Sequence, residues 1–189
     1  MVSTEYMSNY IDSAFRADLL RDPATGLDFL HFSIVPRTAS FDTLESRGEH
    51  FCNFQLDVSL RQGSSVVYQY SKDFPVYFPF KEAGRIRANG ISIEDRFPVI
   101  EGKYRLVILL QNSAGKEFTL AEQDIDVPAL HGRPRLSGTA VGYGFREFGP
   151  DAVLPYALGG RKLLMDPSGT VSPRESLSLL LSCSGVTEA

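Results

Sequence analysis

A chain of 189 residues, 43% hydrophobic and 22% charged, has the composition of a folded protein and not of a disordered one, and it is long enough for one large sandwich or for a domain with a smaller companion. A formal net charge of −4 and a pI near 5.4 exclude a nucleic-acid binder, whose target phosphates require a basic face. No apolar run reaches the length of a membrane-spanning helix, and Met1 to Tyr6 lacks the basic start and apolar core of a secretory signal peptide.

Sixteen Gly and eleven Pro stand mostly between short apolar runs, a spacing that predicts an all-β fold. Over residues 13 to 20, Phe15, Ala17 and Leu19 share one face opposite Arg16 and Asp18, as in a strand, although Ile11, Phe15 and Leu19 are also spaced for a helix. The turn residues Arg21 to Gly26 and the run Leu27 to Val35, closed by Pro36, make a complete hairpin the more economical reading. Arg37 to Glu49 is polar apart from Phe41 and Leu44 and reads as a long loop. Phe54, Leu56, Val58 and Leu60 alternate with Gln55, Asp57 and Ser59 in a half-buried strand, which Gln62-Gly63-Ser64-Ser65 turns back into Val66 to Tyr70. Phe74 to Phe80 carries two prolines, which confine it to a sheet edge or a loop. Ile86, Asn89-Gly90, Ile91 and Ile93 read as a further turn and strand ahead of Pro98.

Gly102 to Leu120 reads as the central hairpin. Tyr104, Leu106, Ile108 and Leu110 fall on one face and Val107 and Leu109 on the other, so this strand belongs in the middle of a sheet. Asn112 to Gly115 supplies turn residues that tolerate positive φ. The apolar positions of the returning strand are Phe118 and Leu120, then Ile125 and Val127; the change of parity predicts a β-bulge or kink between Ala121 and Asp124. About seven strands between residues 13 and 127 predict an immunoglobulin-like antiparallel β-sandwich over residues 1–130, with Tyr104 either at a tyrosine-corner position or capping the core. His131 to Arg135 reads as a linker. Residues 131–189 then form a smaller β unit, packed on the first domain or cut short. Its strands are a Gly-spaced Leu136 to Phe145, Leu154 to Leu158 and Arg161 to Met165 about a Gly159-Gly160 turn, and Leu177 to Cys183.

The chemistry-bearing residues are scattered. Cys52 and Cys183 stand alone, either as two buried thiols or as a pair. His31, His50 and His131 fall on a strand, at a strand start and in the linker; His50 with Cys52 offers two metal ligands where zinc needs more. Asp124 and Asp126 alternate with Ile125 and Val127 as a solvent face, and Glu94 and Asp95, being adjacent, point to opposite faces. No serine occupies a Gly-x-Ser-x-Gly elbow, and neither Gly142-Tyr143-Gly144 nor Gly159 to Lys162 has phosphate-loop spacing. No enzyme, catalytic residue, metal or cofactor is therefore expected. Tyr68, Tyr70, Phe74, Tyr77, Phe78 and Phe80 either fill the core or form a platform for sugar rings or a protein partner. The candidate binding residues are Tyr68, Tyr70, Tyr77 and Phe78. Open edges at Pro75 to Phe80 and at the last strand predict self-association.

Gly102-Lys103-Tyr104-Arg105-Leu106, the polar turn with Gly115, the strand ending Val127-Pro128 and then Leu136-Ser137-Gly138 together resemble the C-terminal β-sandwich region of secreted acidobacterial proteins that carry von Willebrand factor A-related or GWxTD domains. The likeness spans Phe51 to Leu164. Neither the GWxTD motif nor metal-ion adhesion residues occur here, so it transfers no site. It implies an extracytoplasmic setting, periplasmic or secreted, and a non-enzymatic interaction or spacer module; a carbohydrate-binding module using the aromatic stretch 68–80 is the alternative.

Overall fold

The computed structural model describes residues 9–129, 135–149, 153–165, 167 and 176–184, so His131 and most of the expected linker lie outside the described residues. The fold is all-β, built from several antiparallel sheets. Its elements are β1 (Ser13–Arg21), β2 (Asp28–Pro36), β3 (Asp42–Leu44), β4 (Glu49–Gln62), β5 (Ser65–Pro79), α1 (Ala83–Asn89), β6 (Ile93–Val99), β7 (Gly102–Asn112) and β8 (Phe118–Val127). After these come β9 (Arg135–Leu136), β10 (Ala140–Glu147), β11 (Ala157–Leu158), β12 (Arg161–Met165), β13 (Ser178–Leu180) and β14 (Cys183–Ser184).

Contacts divide the chain into two compact units, and the division departs from a boundary near residue 130. One unit takes Met1–Ala14, Val35–Ile93 and Lys103–Ile125; the other takes Phe15–Ile34, Glu94–Gly102 and Asp126–Ala189.

The first unit centres on a five-stranded sheet ordered β3-β4-β7-β8, with β5 on β4 as well. Strict alternation along β4 buries Cys52, Phe54, Leu56, Val58 and Leu60. Register then sets Leu56 opposite Leu110, Val58 opposite Ile108 and Leu60 opposite Leu106, so apolar side chains meet across the ladder. Tyr104 lies on this same buried face of β7, while Val107 and Leu109 are half-buried on the other, as expected of an interior strand.

Three expectations are corrected in this unit. The segment from 37 to 49 is not all loop: Asp42–Leu44 pairs with Phe51, His50 and Glu49, and a single 3-10 turn follows. Residues 83–89 form a helix that Gly90 ends at φ 74 and ψ −178, a conformation open only to glycine. The parity change in β8 does not occur, because Thr119, Ala121, Ile125 and Val127 are buried in unbroken alternation. Thr119 turns inward to share a hydrogen bond with Ser13 (2.9 Å between hydroxyl oxygens), whereas Phe118 turns outward against Tyr10 (ring centroids 5.6 Å apart) and Leu120 is 45% exposed. Thr119 and Ala121 face inward because strict alternation puts them on the same face as the buried Ile125 and Val127.

At the β7–β8 turn the left-handed residue is Lys116 (φ 57) and not Gly115. Asn112 organises the turn: its Oδ1 accepts from Ala114 N (3.2 Å), and its Nδ2 donates to Ser40 O and Glu117 Oε2 (both 2.9 Å).

The second unit contains a three-stranded sheet ordered β1-β2-β6, a four-stranded sheet ordered β11-β12-β10-β13, and a short β9–β14 ladder. The β1–β2 hairpin is as expected, closed by Asp22, whose Oδ1 accepts from Ala24 N (2.9 Å) and Oδ2 from the Thr25 hydroxyl (3.1 Å), with Gly26 at φ 69. Gly159 and Gly160 both take positive φ (57 and 77), the two-residue hairpin turn the sequence announces. The last expected strand is broken, since β13 pairs with β10 and β14 with β9. Ala140, Tyr156, Leu163, Met165 and Leu180 pack into one core with Leu20 of β1, and so the tail strands are closed by an element from the start of the chain.

Candidate functional site

The aromatic stretch lies on β5, where the prolines suit an edge strand: among the described residues β5 pairs with β4 alone. Its register distributes the rings over two faces. Tyr68, Tyr70, Phe74 and Phe78 oppose Leu60, Val58, Phe54 and His50 and so share the face of β4's buried residues; Tyr77 opposes Phe51 on the other face, with ring centroids 4.7 Å apart. Phe78 is 4% exposed, held edge-on by Phe41 at 4.9 Å. Tyr70 is half-buried. The four candidate residues therefore do not make one flat platform. Exposed apolar groups remain at the start of the strand, at Val66, Val67 and Tyr68 (47%, 49% and 41%), and at Tyr77 (51%).

His50 and Cys52 follow each other on β4, and His50 is enclosed by Phe41, Phe78 and Phe80 at 6.3, 5.4 and 4.8 Å. Burial pushes the Cys52 thiol up to about 12, with Glu117 and Asp42 adding to the effect, so it stays protonated at neutral pH and is a poor ligand or nucleophile. No cluster of three His, Cys, Asp or Glu suited to a metal occurs among the described residues. Both cysteines are free thiols, Cys52 buried and Cys183 exposed. Asp124 and Asp126 lie on the exposed face of β8, with Arg105 Nη1 3.5 Å from Asp124. Glu94 forms an ion pair with Lys162 at 2.5 Å.

Sequence reasoning missed a buried polar network in the second unit, centred on Tyr156. This residue is completely buried, and its φ of 54 is a strained value for a bulky side chain. Its amide N–H donates to His31 Nδ1 at 2.8 Å, its carbonyl accepts from Leu163 N at 2.8 Å, and its hydroxyl lies 3.5 Å from the Arg16 carbonyl. Burial, reinforced by the nearby Asp18 and Glu94 carboxylates, raises the phenol well above its ordinary value. Burial also raises Asp18, against the opposing pull of Arg16, whose Nε lies 3.0 Å from the carboxylate. The one sign in the sequence was His31 itself, a polar residue in the otherwise apolar run of β2.

Burial lowers His31 to about 3, helped by the positive charge of Arg96, so the ring is neutral and Nδ1 is an acceptor. The unfolded chain takes up this proton near pH 6.5 and the folded chain only near about 3. Stability is therefore expected to fall as pH drops through that window, by up to ~1.4 kcal/mol per unit. Asp18 acts in the opposite sense above pH 3.8, because its carboxyl is raised on folding. Urea unfolding of the wild type and His31→Asn across pH 3 to 7 separates the two. An equal pH slope in both proteins would show that His31 does not carry the effect.

Beside His31 the second unit forms a half-open pocket of about 380 Å³, lined among others by Arg21, Arg96, Ser182 and the Gly159-Gly160 turn. Neither Glu94 nor Asp95 lines it, so no carboxylate of that pair stands with a histidine there. Comparison with known proteins finds no family model that matches the chain and no match among curated proteins.

Proposed function

We propose that the protein is a non-enzymatic interaction module that joins a second copy of itself through the β5 edge. The supporting observation is a 15-residue edge strand bearing Val66, Val67, Tyr68 and Tyr77, each more than 40% exposed. An edge of that length offers a template for strand addition, and the exposed apolar groups add burial to main-chain pairing. Pro75, Pro79, Lys72 and Asp73 blunt the later part of the strand, which favours pairing near Ser65 to Gln69. A carbohydrate platform has less support, since Phe78 is buried and Tyr77 faces away from Tyr68 and Tyr70. The extracytoplasmic bacterial setting belongs to this proposal and rests on the resemblance around Gly102 to Leu106; recovery of the native protein from cytosol would remove it.

Sedimentation equilibrium tests the interaction. The mass is expected to rise with concentration from the 20.9 kDa monomer towards twice that value, and Val67→Lys is expected to hold the chain monomeric. A wild type that stays monomeric at all concentrations, or a Val67→Lys variant that associates as well as the wild type, defeats the proposal.

A further inference from the structure

The β5 edge holds enough information to set the register in which a second copy joins it, an inference that rests on the self-association proposed above. We propose that two copies pair antiparallel about a two-fold axis at Ser71, with Gln69, Ser71 and Asp73 forming the ladder. Along an antiparallel pair, residues alternately exchange hydrogen bonds with the strand opposite and turn their N–H and C=O away from it. Asn53, opposite Pro75, gives its carbonyl to Ser113 N at 3.0 Å, just past β7 and on the side away from β5. The Asn53 and Pro75 pair is therefore one that turns away, as a residue without an N–H requires. Phe80 N donates to Gly48 O at 3.1 Å, which puts the neighbouring Glu49 and Pro79 pair in the same class. Register is unbroken from Asn53 opposite Pro75 to Leu60 opposite Tyr68, so Asp73, Ser71 and Gln69 likewise aim N–H and C=O at the open edge. Among the described residues none of these three is bonded through its main chain to another element.

Two features bracket this run. Pro75 has no N–H to offer, and on the other side Val67 is an extra residue, since Leu60 opposes Tyr68 while Arg61 opposes Val66. One register uses every outward position between them: Ser71 opposite itself and Gln69 opposite Asp73 on either side, with about six main-chain hydrogen bonds. Centring the pair on Gln69 or Tyr70 runs the ladder into the Val67 bulge, and centring it on Lys72 or Asp73 sets like charges face to face. About Ser71 the side chains match as well. Gln69 meets the Asp73 carboxylate, Lys72 meets the Tyr70 ring, and Tyr68 meets Phe74 of the second copy. Lys72 and Asp73 thus deter other partners and find complements in this one. Tyr68 and its neighbour Val67 are 41% and 49% exposed, so the same pairing covers the apolar start of the strand. Because each copy contributes the same segment, the assembly closes at two.

Disulfide trapping in the full chain tests the register, and sedimentation equilibrium tests the association beneath it. In a Cys183→Ser background, which removes the exposed thiol, Ser71→Cys is expected to give a covalent dimer on mild oxidation. Directly opposed residues of a hydrogen-bonded pair lie about 5.5 Å apart at Cα, within disulfide reach. Gln69→Cys and Asp73→Cys are each expected to remain uncrosslinked when oxidised alone and to crosslink when mixed. Ser71→Pro removes an N–H that points away from β4, so circular dichroism should show the fold retained. With two hydrogen bonds lost per dimer, its association is expected to weaken at least about tenfold. A wild type that is monomeric at every concentration defeats the self-association reading and this register with it. A wild type that associates overturns the register alone if Ser71→Cys fails to crosslink, if Gln69→Cys crosslinks by itself, or if Ser71→Pro associates undiminished.

Discussion

Removing residues 131–189 is expected to abolish the second unit. The cut takes away Ala140, Tyr156, Leu163, Met165 and Leu180 and leaves Leu20 of β1 without the core it completes. Burying one large apolar side chain contributes roughly 1.5–3 kcal/mol, so the four larger ones lost account for about 6–12 kcal/mol. That is comparable with the entire stability of an ordinary domain, about 5–15 kcal/mol. The shortened chain should therefore melt far below the full one, with protease cleavage in the β1–β2 hairpin that the full chain resists. A shortened chain that melts at the same temperature would show that residues 1–130 are self-sufficient and that the packing of Leu20 is incidental.

Tyr156→Ala should be the most damaging single change in the second unit. The ring is wholly buried in that core, and large-to-small replacement of a buried aromatic costs about 3–5 kcal/mol. Its backbone makes the effect diagnostic. With φ at 54, every L-residue at this position carries strain of about 1–2 kcal/mol, whereas glycine carries none. Tyr156→Gly should therefore be at least as stable as Tyr156→Ala, despite having less side chain to pack. Tyr156→Phe, which keeps the ring, should lose far less. Urea unfolding of the three variants ranks them, and Ala clearly above Gly would mean that the left-handed backbone is not maintained.

The buried faces of β4 and β7 were legible because both strands obey period-2 alternation with large apolar side chains, and one face excludes water along its length. The β1–β2 and β11–β12 turns were legible because Asp22 to Gly26 and Gly159-Gly160 need particular backbone conformations that few residues adopt. The β8 face was misread for a long-range reason: Phe118 and Leu120 are larger than Thr119 and Ala121, yet Thr119 and Ala121 share the buried face of Ile125 and Val127, where Thr119 meets the hydroxyl of Ser13, over a hundred residues away in sequence. The helix at 83–89 was missed because seven residues are too few for an amphipathic pattern, and only its stop at Gly90 was visible as a turn signal.

The candidate sites divide in the same way. Composition singled out the aromatic stretch, but the ladder between β5 and β4 decides which ring meets solvent, and it sends Tyr77 and Phe78 to opposite faces. Arg21, His31, Arg96 and Ser182 come from four separate stretches and have no spacing in common; they line one pocket because the folded second unit brings those stretches together.

By itself, then, the sequence determined the all-β class, the hairpin turns and the central buried strands, all of which follow from alternation and from backbone preferences acting over a few residues. Only the tertiary structure decided the units, the buried network at Tyr156 and the pocket, because these depend on long-range burial. An apolar or polar group is satisfied by whichever distant segment can cover it, and no local pattern records which segment that is.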